Sequence, residues 1–118
     1  GSSISCIQWE GEHYITGMDI IRSLNYKLSL LGRQIINQKK LEEGIFSDLR
    51  NLKPNLDCKL ELSHSNFLRF LHKNHCIRTM KKQKVFYFHA VPHDRMLNDI
   101  LDRDIKRSAL GLPTTTLL

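Results

Sequence analysis

The sequence predicts an α+β fold with a winged helix-turn-helix-like outline: an N-terminal β-hairpin, three helices, a basic β-hairpin wing and a C-terminal helix. Three observations predict it. Apolar residues recur at helical spacing in four separate segments. Runs of β-branched and aromatic residues lie at the N-terminus and between the third and fourth of those segments. The second such run is led by "RTMKKQK", Arg78 to Lys84, where a wing would follow three helices. The 118 residues suffice for one modest core. A single domain is expected over residues 3–111, with Gly1-Ser2 an expression remnant and 112–118 a flexible tail.

"SISCIQWEGEHYIT" reads as two short strands about the turn Glu10-Gly11-Glu12. Thr16, with Asp19 three residues on, is a capping-box-like helix start. Ile21, Leu24, Leu28 and Leu31 follow at helical spacing and Gly32 is a natural stop, which predicts a helix over 17–31. A second helix is predicted over 38–52, with Leu41, Ile45, Leu49 and Leu52 in one stripe and Pro54 ending it. Gly44 inside it costs about 1 kcal/mol against Ala, so it marks close packing against another backbone. Residues 53–62 read as a polar connection. Ser63 or Ser65 caps a third helix over 64–74. Cys76–Thr79 and Lys84–Val91 then pair as a hairpin with Met80–Gln83 at its tip, and Pro92 breaks the second strand. Asp94 caps a last helix over 95–110, closed by Gly111 and Pro113.

The charge is unevenly placed. From Leu62 to His93 there is no Asp or Glu, while Arg69, Lys73, Arg78, Lys81, Lys82 and Lys84 all fall there, with five of the six histidines. The remaining 12 basic residues face all 12 acidic ones, so this window carries the whole net charge of +6. Such segregation is an electrostatic footprint for a polyanion. No apolar run approaches the roughly 20 residues of a membrane span. Three cysteines in no framework spacing point to a reduced compartment.

The blocks "YITGMDIIRSL", "GRQIINQKKLEEGIFSDLRNLKP", "CIRTMKKQKVFYFHAVPHD" and "LDRDIKRSALG" resemble the DNA-binding domain of the fungal STE-like, sterile-twelve-type transcription factors. The resemblance runs from Ile4 to Gly111. It implies homeodomain-like helices and a nuclear protein that binds double-stranded DNA at a pheromone-response-type element with a TGAAAC-like core. It also implies regulation of mating and filamentous growth downstream of a MAP kinase cascade. Other transcription factors and pathway regulators would then be partners through regions outside this chain. Met80 stands where the family usually has Gln, Leu41 where it has Phe, and Phe88-His89-Ala90 departs from its aromatic-and-Ser pattern.

Lys and Arg neutralise phosphates, whereas Arg, Asn and Gln on a rigid element read base edges. The expected DNA-contacting set is Lys39, Lys40, Arg50, Arg69, Lys73, Arg78, Thr79, Lys81, Lys82, Gln83 and Lys84. The lysines are the phosphate contacts. Arg78 and Gln83 are the leading base readers, with Arg50 and Arg69 behind them. Monomeric and homodimeric binding both stay open.

The other classes fit less well. His72, His75, Cys76 and Cys58 match no zinc-finger spacing, so no metal is expected. No phosphate loop, nucleophile elbow or carboxylate pair is present, so neither an enzyme nor a cofactor is expected. Phe86, Tyr87 and Phe88 would stack RNA bases only if exposed, and three in a row cannot share one strand face. The main alternative is a protein-interaction module docking regulators through the C-terminal helix.

Overall fold

The computed structural model describes residues 6–118. Gly1-Ser2 and the start of the first expected strand lie outside the described residues. The described residues are α+β, with four α-helices, a four-stranded antiparallel sheet and a two-stranded one. It divides into two compact units. One comprises the chain through Ile20 together with Leu52–Val91; the other comprises Ile21–Asn51 together with Pro92–Leu118.

The first, sheet-bearing unit opens with β1 (Ile7–Trp9) and β2 (Glu12–Ile15). Glu10 and Gly11 both take positive φ, 48° and 81°, giving the two-residue turn whose twist suits a hairpin. The chain returns at β4 (Cys58–Glu61), α3 (Asn66–Lys73) and β5 (Gln83–Tyr87), and the strand order is β1-β2-β5-β4. Phe67, Leu68 and Leu71 of α3 pack with Ile7, Tyr14, Ile77 and Val85. The rings of Trp9 and Phe67 stack at 5.1 Å, and Tyr14 meets Phe67 at 4.8 Å.

The wing hairpin expected from the sequence does not form. β5 is an inner strand: Tyr14 pairs with Tyr87 on one side, and Cys58 to Glu61 pair with Phe86 to Gln83 on the other. Both edges are therefore taken before Cys76–Thr79 could join. That segment is instead folded back on the end of α3. His75 adopts a left-handed φ of 60°, the Cys76 amide donates to the Leu71 carbonyl at 2.8 Å, and Ile77 is buried. The partner strand β4 comes from the stretch expected to be a polar connection. β5 also stops at Tyr87, and Phe88–Ala90 form a single 3-10 turn.

The second unit holds the rest of α1 (Gly17–Leu30), β3 (Gln34–Ile35), α2 (Gln38–Arg50), α4 (His93–Ala109) and β6 (Thr116–Leu117). α1 begins in the first unit, where Thr16 Oγ1 accepts from the Asp19 amide as its cap. The helix ends in a Schellman-type turn: Arg33 N–H donates to Leu28 O and Gly32 N–H to Ser29 O, with Gly32 at φ 75°. Leu41, Ile45 and Leu49 of α2 and Met96 and Ile100 of α4 are buried, as their spacing predicts.

Two further expectations are corrected in this unit. Gly44 makes room for a side chain rather than a backbone. A Cβ there would lie 2.8 Å from Nη2 of Arg103, whose guanidinium reaches Asp48 at 3.3 Å. The C-terminal tail is ordered, not loose: β6 pairs with β3, matching Gln34 to Leu117 and Ile35 to Thr116. Thr115 and Thr116 are buried against Asp104, whose carboxylate accepts from both their amides and both their hydroxyls at 2.6–3.1 Å. Local periodicity carries no sign of a clamp made by residues 11 and 12 positions apart.

Candidate nucleic-acid interface

Helix α3 is only eight residues long and has two distinct sides. Ser65 caps it, accepting from the Leu68 amide at 3.1 Å and donating to Glu61 Oε1 at 2.8 Å. With Phe67, Leu68 and Leu71 turned inward, helical spacing puts Asn66, Arg69 and Lys73 on the opposite side. All three are exposed. Phe70 borders them, and Trp9 lies beneath it with ring centroids 5.0 Å apart.

The segment after α3 carries Arg78, Thr79, Lys81 and Lys82, all exposed, and it is held at several points. Met80 turns its side chain toward the core, and its carbonyl accepts from His64 N–H at 2.9 Å and Ser63 Oγ at 3.2 Å. His64 takes a left-handed φ of 59° in making this link. Arg69 Nε donates to the His64 carbonyl at 3.1 Å, which ties the outer side of α3 to the same corner. Arg69, Lys73, Arg78, Thr79, Lys81 and Lys82 thus belong to one braced part of one unit, with no carboxylate anywhere between Leu62 and His93.

Two expected contacts have other work in this structure. Gln83 was expected to be a leading base reader. Its Nε2 instead donates to the Thr79 and Lys81 carbonyls, each at 2.8 Å, which uses both amide hydrogens inside the protein. Lys84 was expected on phosphate. Its ammonium donates to the Leu52 carbonyl at 2.8 Å from a half-buried position. It also lies near Cys58: burial pushes that thiol up, and the Lys84 charge partly offsets the rise.

Lys39 and Lys40 in the first turn of α2, and Arg50 in its last turn, are exposed but belong to the second unit. Asn37 Oδ1 caps this helix by accepting from the Lys40 amide at 3.1 Å. One residue escapes the sequence reading. Asn66 directly follows the Ser65 cap and sits three residues before Arg69. That spacing was visible once the cap was placed at Ser65 rather than left between Ser63 and Ser65.

Among the described residues, no group of three His, Cys, Asp or Glu side chains is placed to hold a metal ion. Cys58 is buried in β4, and Cys76 Sγ lies against the Asn74 carbonyl at 3.6 Å. Phe86 is buried while Phe88 sits in the 3-10 turn, so the aromatic run offers no flat stacking face. The apolar stripe of α4 is itself buried at Met96 and Ile100.

Comparison with known proteins finds relatives over nearly the whole chain. "Transcription factor MST12" of Pyricularia oryzae is 53% identical over 117 residues, which is 99% of this chain and 16% of that protein. "Protein STE12" of Kluyveromyces lactis is 53% identical over 113 residues, 96% of this chain and 17% of its own length. "Protein STE12" of Saccharomyces cerevisiae is 50% identical over 113 residues, covering 96% and 16%. The chain therefore spans about one sixth of the length of the curated relatives it matches. No solved structure matches. The family described as STE like transcription factor matches residues 1–118, and with half of all positions shared with the relatives, the chain belongs to that family.

Proposed function

We propose that this chain is the DNA-binding part of a fungal transcription regulator and that it binds duplex DNA through the first unit. The carrying observation is the braced basic surface formed by the outer side of α3 and the segment Arg78–Lys82, both drawn from a stretch of sequence with no Asp or Glu. Lys73, Lys81 and Lys82 neutralise phosphates, the sequence-independent part of the affinity. Arg78, Arg69 and Asn66 carry the donors that suit base edges. Lys39, Lys40 and Arg50 of α2 belong to the second unit and stay proposed phosphate contacts on their charge alone. The relatives named as transcription factors support a nuclear protein; the resemblance alone implies a pheromone-response-type site with a TGAAAC-like core and control of mating and filamentation genes under a MAP kinase cascade.

The test is a titration of a duplex carrying that core and of a scrambled duplex over a range of salt. Lys81→Ala with Lys82→Ala should weaken both duplexes alike and flatten the log K against log[salt] slope by about 0.9 per lost contact. Arg78→Ala should cost about 1–3 kcal/mol on the core duplex and much less on the scrambled one. An unchanged slope in the lysine variant removes this segment from the interface. Equal losses on both duplexes make Arg78 a phosphate clamp.

A further inference from the structure

We propose that Gln83 is the positioning residue of the basic segment, and that its brace turns the main-chain N–H groups of Met80 and Lys82 outward as phosphate donors beside Lys81 and Lys82. This rests on the DNA-binding reading above. A hairpin wing would hold its tip through cross-strand hydrogen bonds, and here there is no hairpin. Gln83 takes over that role from the first position of β5. Its single amide group bonds the Thr79 and Lys81 carbonyls, both at 2.8 Å. The Met80 carbonyl between them is held by His64 N–H and Ser63 Oγ. Three successive carbonyls are therefore satisfied from within the protein.

The geometry of the peptide group supplies the rest. In a planar trans peptide, the C=O and the N–H that follows it point in opposite directions. No cis peptide occurs among the described residues. Carbonyls of Thr79, Met80 and Lys81 turned to the protein send the N–H groups of Met80, Lys81 and Lys82 away from the groups that hold them. None of the three amides finds a protein acceptor among the described residues. They lie in the stretch that carries Arg78, Lys81 and Lys82, with no carboxylate within it. Fixed amide donors next to flexible ammonium groups suit phosphodiester oxygens, because the donors are set before the ligand arrives.

The experiment uses Gln83→Leu, which keeps volume and loses both donors, and Gln83→Glu, whose carboxylate can only accept. Backbone order parameters of the free protein should fall for residues 79–82 in both variants, from about 0.85 toward 0.6 or below, with the thermal midpoint little changed. Affinity of Gln83→Leu for core and scrambled duplexes should drop together by about fivefold to tenfold, the cost of ordering a freed loop. The salt slope of Gln83→Leu should stay at the wild-type value, because no charge is lost. In wild-type protein, the Met80 and Lys82 amide protons should move downfield as duplex is added. Unchanged order parameters in both variants overturn the brace. Freed loops with undiminished affinity overturn its part in binding, and a flattened slope in Gln83→Leu makes Gln83 a contact rather than a brace. Absence of downfield shifts overturns the amide donors. If wild-type protein binds neither duplex, the DNA-binding reading fails, while the order parameters still decide the brace.

Discussion

Asp104 is a charged side chain only 2% exposed, and it stays charged because Thr115 and Thr116 surround it with donors. Burial pushes its carboxyl up, but hydrogen bonds from the Thr115 amide, the Thr116 hydroxyl, the Thr115 hydroxyl and the Thr116 amide outweigh that and hold it below 3.8. A carboxyl depressed in the folded state stabilises the fold above its unfolded value. That stability is lost as pH falls from about 3.8 through the folded value. Asp104→Asn should cost about 2–3 kcal/mol in denaturant unfolding at pH 7. The variant should also show a shallower loss of stability than wild type between pH 5 and pH 2, at about the range where free carboxyls titrate. An equal pH profile in both proteins would show that the clamp holds no net charge preference. Side chains such as these were hard to read in advance. "TTTLL" has no helical or strand period, and the value of its hydroxyls depends on a carboxylate eleven residues earlier.

Among the elements, the helices and the N-terminal hairpin were legible and the rest of the sheet was not. α1, α2 and α4 match the expected spans to within two residues, because a 3.6-residue period and caps such as Thr16 and Asn37 are written locally. Strand pairing is not local. A strand was expected over Lys84–Val91 and β5 runs over Gln83–Tyr87, with partners near residues 14 and 60 rather than 77. The candidate site inherits the same split. The basic run was visible as charge, whereas the roles of Gln83 and Lys84 depended on which elements meet. This separates the lysines experimentally. Lys84→Met should lower stability by about 1–2 kcal/mol, since its ammonium satisfies the Leu52 carbonyl, and should leave the salt slope nearly intact. Lys81→Ala and Lys82→Ala should do the reverse, flattening the slope with little change in the thermal melt. Paired melts and salt titrations of the single variants check the assignment. A Lys84→Met slope as flat as that of Lys81→Ala would return Lys84 to the phosphate contacts.

At the scale of the whole molecule, the first unit is built from two stretches of chain separated by more than thirty residues. Composition alone gave one stretch from 3 to 111 and could not show that interruption. The acid-free window falls almost wholly inside this unit, so the feature most legible in the sequence, charge placement, marks the same residues that the fold braces. The chain also has a single tryptophan, and it is Trp9. Its indole stacks on Phe67 with an interplanar angle of 10° and touches Phe70 at the border of the exposed side of α3. Most helical residues lie in the other unit. Tryptophan emission therefore reports on the sheet-bearing unit, while far-ultraviolet circular dichroism is weighted toward the helical one. A duplex settling on Asn66, Arg69 and Lys73 should shift or quench that emission with no dye attached, and the same duplex should do neither in Arg69→Ala at concentrations where binding is lost. The molecule carries its own fluorophore under the surface proposed to meet DNA.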